Sequence, residues 1–319
     1  MKCPECGYNQ KFSNGMICGK CRRKFSLNPK TQISDGKFVA TIRRASYDST
    51  VVFTENQLYA AYAKGVLNPW AFFAFGGVFL LVLALFVGAT NDVQTGLLVS
   101  VPSLICFAMV FIYEGRTVSP FEFSKWTKQW LEDGRSIEGL LRSPSLDQPP
   151  PDWNEDDIFD YGVEQILIVE RDLLVDLFVL NNRHAETRTL VIAESGYPNY
   201  LTEHVNRLVA QRSDLPIYLL HDATEHGTKM KTRLRASSWL NEANNPMLDL
   251  GLNVTDVYRI KRTSNFRRHY PNAGIPADTL LLTPLVGGLT ACFANQTTFA
   301  DELARTASGD GSSIESSFG

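Results

Sequence analysis

Four cysteines stand in the first 21 residues as two pairs, Cys3-Pro-Glu-Cys6 and Cys18-Gly-Lys-Cys21, separated by 11 residues. Two CxxC knuckles at this spacing bring four thiolates round one tetrahedral Zn²⁺. Such clustering reads as metal binding rather than disulfide bonding, and the other two cysteines, Cys106 and Cys292, lie far away. Zinc would supply the folding free energy that so short a segment cannot draw from a core of its own. The spacing therefore predicts a structural zinc ribbon over residues 1–27, with Gly7 and Gly19 in its tight turns. Its basic residues, Lys11, Lys20, Arg22, Arg23 and Lys24, suit nucleic acid, a protein partner or anionic headgroups, and the ribbon does not choose among them.

A second set of chemically capable residues lies at the ends of apolar runs. QILIVE (165–170), TLVIAE (189–194) and IYLLHD (217–222) are strand-like and alternate with helical patterns through Leu180 and from Tyr200 to Arg212. This βαβαβ order predicts a parallel sheet, in which ligands bind beyond the carboxyl ends of the strands. Glu170, Glu194 and Asp222 would converge there as hard oxygen ligands suited to Mg²⁺ and, through it, to phosphates. Strand-end carboxylates that cap the following helix are the alternative for Glu170 and Asp222. His221 and His226 sit at no recognised ligand spacing and read as loop or surface residues. Basic residues follow at Lys229, Lys231, Arg233 and Arg235, then at Arg259, Lys261, Arg262, Arg267 and Arg268. Such patches suit a phosphate backbone or anionic lipid.

The same residues carry a resemblance. IVE ending at Glu170, AESGYPN (193–199) and LPIYLLHDATEHG (215–227) resemble the Toprim domain found in the A subunit of topoisomerase VI and in its meiotic double-strand-break relatives, and MLDLGLNVTDV (247–257) resembles the segment that follows it. The resemblance covers roughly residues 160–260. It implies Mg²⁺ held by Glu170, Asp222 and position 224, which is Thr224 here instead of aspartate, with Glu225 as a substitute if the turn shifts by one residue. The family's glycine loop, closer to GKGYPD, reads Glu194-Ser195-Gly196-Tyr197-Pro198-Asn199 in this chain. The winged-helix domain with the family's nucleophilic tyrosine has no counterpart, so covalent cleavage, and topoisomerase activity by this chain alone, are not implied. Two expectations follow: a membrane-tethered, Mg²⁺-dependent, nuclease-like nucleic-acid module acting at the cytosolic membrane face with Glu170 and Asp222 as its catalytic ligands, or a catalytically silent scaffold or sensor that assembles a partner complex at the membrane.

Elements around these residues complete the map. With 31 Lys+Arg against 34 Asp+Glu the net charge is −3, so any surface for nucleic acid is local. The mean hydropathy of −0.11 conceals segregation, because no charged residue stands between Lys64 and Asp92 or between Asp92 and Glu114. Residues 69–90 and 95–113 are long enough for two transmembrane helices joined by a short turn. Lys64, Arg116, Lys125 and Lys128 then predict an integral protein of the inner or plasma membrane with both termini cytoplasmic. No cleavable signal peptide is expected at the N-terminus.

The expected order is a zinc ribbon (1–27), a small accessory segment (28–66), a transmembrane hairpin (67–114), a juxtamembrane amphipathic helix (115–142), a proline-rich linker (143–157), a Toprim-like α/β domain (158–305) and a disordered polar tail (306–319). In the accessory segment Thr54 and Gln57 predict a capping box. The aromatic stripe Phe123, Trp126 and Trp130 fits either an interfacial helix or one packed on protein.

Overall fold

The computed structural model describes residues 1–66, 69–90, 100–106, 108, 118–149, 162–240, 244–253, 255 and 274–307. The chain divides into two compact units, one of residues Met1–Tyr62 with Ser119–Gly319 and one of Ala63–Val118.

Two knuckles open the first unit. In each, the amide four residues after the first cysteine closes a turn on that cysteine's carbonyl: Gly7 N donates to Cys3 O at 3.0 Å and Arg22 N to Cys18 O at 2.9 Å. Both turn residues have positive φ, 70° at Gly7 and 58° at Arg22. The second tight turn thus falls on Arg22, not on Gly19, because the turn position is fixed by its distance from the first cysteine. Buried Gln10 ties the knuckles together, donating to Gly15 O and Ile17 O while accepting from Gly19 N.

Helices α1 (Asp35–Ala45), α2 (Glu55–Gly65) and α4 (Pro120–Glu132) form an aromatic core beside this module. Thr54 and Gln57 exchange the two bonds of a capping box at the start of α2. Phe123, Trp126 and Trp130 of α4 are buried, and their rings meet Phe38 of α1 and Tyr59 and Tyr62 of α2. The stripe is therefore a protein-packed face. Fully buried Asp35 accepts from Ser26 N and Leu27 N and pairs with Arg135 at 3.1 Å, which docks the cysteine module onto α1 and α4.

In the second unit the structure corrects the sequence reading. The uncharged run 69–90 folds as helix α3 (Pro69–Thr90). Yet among the described residues no helix is long and apolar enough to cross a membrane. Absence of charge marked both runs, but lack of charge does not by itself make a membrane span. The two transmembrane helices, and with them the integral-membrane localisation, are not sustained. Ser103 is buried and its hydroxyl donates to Gly77 O at 2.8 Å, joining the two runs by a polar bond.

The remainder of the first unit is the expected parallel-sheet α/β domain. Strands β1 (Gln165–Val169), β2 (Thr189–Ala193), β3 (Ile217–Leu220) and β4 (Met247–Asp249) pair in the order β2-β1-β3-β4, all parallel. Helices α5 (Asp172–Leu180), α6 (Thr202–Gln211), α7 (Glu225–Thr228), α8 (Met230–Arg235), α9 (Leu282–Asn295) and α10 (Phe299–Ala307) complete it.

The first three strands are buried almost throughout, as a sheet with helices on both faces requires. Ile166, Ile168, Ile192, Ile217 and Leu219 face α6 and α8 through Val205, Leu208, Met230 and Leu234. The ring of Tyr218 meets that of Phe293 of α9 at 4.7 Å in a tilted arrangement. MLDLGLNVTDV contributes β4, a strand that short alternation alone did not announce. Residues 145 and 146, within the expected linker, are fastened to the domain: Ser145 N and Oγ donate to buried Asp176, as does the Tyr197 hydroxyl.

Candidate functional site

The register Val169↔Ala193 and Val169↔Leu220 sets Glu170 and Glu194 just past the ends of β1 and β2, with His221 and Asp222 just past β3. Asp222 N donates to Glu170 Oε2 at 2.7 Å, so the two acidic residues are joined directly. Glu170 Oε1 faces His226 Nδ1 at 3.0 Å, and that imidazole is largely exposed.

Asp222 is buried and carries two donors, Ala277 N at 2.7 Å and the Arg171 guanidinium at 3.0 Å. Arg171 also pairs with Asp278, a carboxylate of zero exposure that accepts from Asn56 Nδ2 at 3.0 Å. One guanidinium therefore lies between two buried carboxylates. Burial pushes the Asp222 carboxyl up, Arg171 and Ala277 N pull it down, and the neighbouring Asp278 and Glu170 push it up again, leaving it above the usual range. For Arg171, burial alone would lower its pKa, but Asp278 and Asp222 more than offset this and raise it.

The other residues of the rim are also committed. Thr224 Oγ1 accepts from Gly227 N at 2.7 Å and caps α7, so the hydroxyl at the third ligand position serves the helix. Glu194 does not join Glu170 and Asp222; it forms a bidentate pair with Arg233, both bonds 2.6 Å. Glu225 is engaged with Lys229 at 2.8 Å, and Lys231 Nζ donates to Met247 O. Lys229, Lys231 and Arg233 are thus each held within the domain. Arg267 and Arg268, with Arg259, Lys261 and Arg262, lie outside the described residues.

His221 lies in the loop just past β3, as read, but it is buried rather than at the surface. Its Nδ1 faces Asp222 O at 2.8 Å and its Nε2 faces Asp249 Oδ1 at 3.1 Å. The backbone is tailored to this ring. A Cβ at Gly251 would stand 2.1 Å from it, and one at Gly227 would stand 2.3 Å from Asp222 O.

The segment with this geometry also matches a known family. Residues 165–265 match the family model for the Toprim domain of Spo11 and of the A subunit of topoisomerase 6. The chain carries a Toprim-like domain here. No curated protein and no solved structure matches the chain. A Toprim domain points to a metal-dependent, nucleic-acid-related role.

Residues that sequence reasoning missed surround the acidic pair of this Toprim-like domain. Arg171 follows Glu170 directly, so its position was available but its role was not, because its partners lie 51 and 107 residues away. Asp278 and Ala277 fall beyond the matched segment, and Asn56 belongs to the accessory helices; none carries a local signal.

Among the described residues the four N-terminal cysteines are the metal-capable group: their sulfurs all lie within 4.8 Å of one another, with Cys3···Cys21 and Cys6···Cys18 at 3.6 Å. Tetrahedral Zn²⁺ with bonds of about 2.3 Å separates its sulfurs by about 3.8 Å, close to these values. Two of the free thiols are shifted by their surroundings. Backbone N–H groups lower Cys18 to about 6, whereas at Cys21 the Arg23 N–H pulls down but desolvation and the adjacent sulfurs push up to about 12.

Proposed function

We propose that the Toprim-like domain processes nucleic acid in a Mg²⁺-dependent, nuclease-like manner, with Glu170 and Asp222 as the ligands of one Mg²⁺, and that Cys3, Cys6, Cys18 and Cys21 hold a structural Zn²⁺. The observation that carries the reading is the meeting of Glu170 and Asp222 at neighbouring strand ends of a Toprim-like sheet, where the Glu170 carboxylate accepts the backbone N–H of Asp222. Hard carboxylate oxygens fit Mg²⁺, and the Asp222 and Asp278 carboxylates share a single guanidinium beside Glu170, a centre whose charge calls for a cation. Arg171 supplies that cation in the present arrangement. A bound Mg²⁺ would neutralise a phosphodiester and polarise a water molecule. The chain's residues would do the rest: Glu170 and Asp222 would hold the ion, and Lys229, Lys231, Arg267 and Arg268 would contact the phosphate backbone.

A second reading, that the domain is a catalytically silent scaffold for a partner complex, draws support from Arg171, which already compensates Asp222, and from Thr224, which is spent on a helix cap. Titration of the full chain with MgCl₂ while following its melting temperature, beside cleavage assays on single-stranded and duplex DNA, separates the two. The first reading expects a Mg²⁺-dependent rise in melting temperature and a cleavage activity, both lost in Glu170→Gln. Absence of both leaves the scaffold.

A further inference from the structure

The four-cysteine module carries a surface that the acidic pair does not use. Residues 1–27 hold six Lys or Arg against one acid, Glu5, in a chain whose net charge is −3. The module stays basic even after the net negative charge of four thiolates round a Zn²⁺ is counted. Of its cations, Arg23 is spent on Glu5 at 3.0 Å. Lys20 and Arg22 are exposed and, among the described residues, have no ion-pair partner.

The second knuckle fixes where these two stand. Arg22 N donates to Cys18 O at 2.9 Å and Cys18 N to Arg23 O at 2.8 Å, so Lys20 and Arg22 sit on one closed turn. Tyr8, from the first knuckle, lies against that turn: a Cβ at Gly19 would stand 3.7 Å from its Cε1. Its backbone is anchored, since Tyr8 O accepts from Cys3 N at 2.8 Å, yet its ring is 45% exposed. A held aromatic ring beside two unpaired cations has the makings of a stacking platform: the ring takes the face of a base, and the cations take the phosphates on either side of it.

We propose that Tyr8 and the second knuckle form a docking surface for single-stranded nucleic acid, with an unpaired base stacked on Tyr8 and the adjoining phosphates against Lys20 and Arg22. The choice of nucleic acid among polyanions rests on the role proposed for the Toprim-like domain, and the choice of a single strand rests on Tyr8. A duplex keeps its bases stacked inside and offers that ring no partner. An anionic lipid headgroup would satisfy the two cations and likewise leave the ring unused. Neither Glu170 nor Asp222 contributes to this surface, which would hold the strand that the acidic pair acts on.

Fluorescence anisotropy of a labelled oligo-dT strand of about 12 nucleotides, titrated with the full zinc-loaded chain without added Mg²⁺, tests it beside the dT·dA duplex of the same length. The strand should bind at least about fivefold more tightly than the duplex. Tyr8→Ala should weaken the strand by at least about fivefold, whereas Tyr8→Phe, which keeps the ring, should not. Lys20→Gln together with Arg22→Gln should flatten the fall of log affinity with log salt by about 0.7 for each phosphate contact removed. All these variants should keep the parent's zinc content, since none removes a thiolate, and a loss of binding with zinc retained is a loss of the surface. Glu170→Gln should leave strand affinity unchanged, so failure of the Mg²⁺ reading and failure of this surface give different results. The proposal is overturned if the strand does not bind, if the duplex binds as tightly, or if Tyr8→Ala leaves strand affinity unchanged. Tighter binding to phosphatidylserine vesicles than to the strand, lost in the Lys20 and Arg22 double variant, would overturn it in favour of a lipid surface.

Discussion

Arg171 pairs with Asp222 at 3.0 Å through the residue next in sequence to Glu170, so adjacent positions on the chain serve the same acidic centre with opposite charge. Glu170 receives the backbone N–H of Asp222, and Arg171 receives its carboxylate. Strand β3 is thus clamped to the end of β1 by both a neutral donor and a cation. The acidic rim stabilises the fold whether or not it also holds a metal.

Removal of the cation exposes that dependence. In Arg171→Met, buried Asp222 and Asp278 lose their shared counter-charge, and breaking such a pair costs about 3 kcal/mol or more. Urea denaturation at pH 7.5 should show the midpoint falling accordingly with an unchanged slope. A midpoint within error of the parent would mean that Arg171 is not the compensating charge.

The same variant should respond more strongly to Mg²⁺. With the guanidinium gone, a divalent ion becomes the best available partner for the carboxylates, so MgCl₂ should restore a larger part of the lost melting temperature in Arg171→Met than it adds to the parent. If Mg²⁺ acts equally on both proteins, the ion does not enter this centre.

The parallel sheet and the positions of Glu170 and Asp222 were legible because apolar runs of strand length ended in acids, and because short motifs occurred in order. What surrounds them was not. Asp278 and Asn56 reach the centre from segments 107 and 115 residues away from Arg171 in sequence. No periodicity encodes a contact that only folding creates. His221 was misjudged for a related reason: its burial depends on Gly251, whose missing side chain leaves room for the ring. The uncharged runs at 69–90 and 95–113 misled in the opposite sense, since charge was absent, yet among the described residues no helix is long and apolar enough to cross a membrane.

Zinc content provides an independent check on the N-terminal module. Metal analysis of the purified chain should give one Zn²⁺ per chain, falling to none in Cys18→Ser, because a structural site rarely survives on three thiolates. Hydrogen exchange should then accelerate through residues 1–27. It should spread to the start of α1, where Asp35 accepts from Ser26 N and Leu27 N. Retained protection after loss of the metal would show that docking through Asp35 and Arg135 suffices to fold the module.

His221 should make stability fall as the solution becomes alkaline. Both of its ring nitrogens face acceptors, Asp222 O and Asp249 Oδ1, an arrangement that only the doubly protonated imidazolium satisfies. Burial pushes its pKa down, but the bonds to Asp249 and to the Asp222 carbonyl outweigh this and raise it above 6.5. A folded-state pKa above the unfolded value means that the stabilisation is fully present below pH 6.5 and is lost as pH rises through the folded value. The depressed Asp249 carboxyl is the matching half of the pair, with stabilisation present above its unfolded value of 3.8 and lost only as pH falls through its lower folded one. Urea midpoints should therefore decline from pH 6.5 towards pH 8.5 in the parent. Asp249→Asn, which keeps the shape and removes the charge, should be less stable at pH 6.5 and should show a flatter profile above it. An imidazole resonance assigned to His221 that titrates below 6.5, or a parent profile as flat as that of Asp249→Asn, would rule out the buried imidazolium.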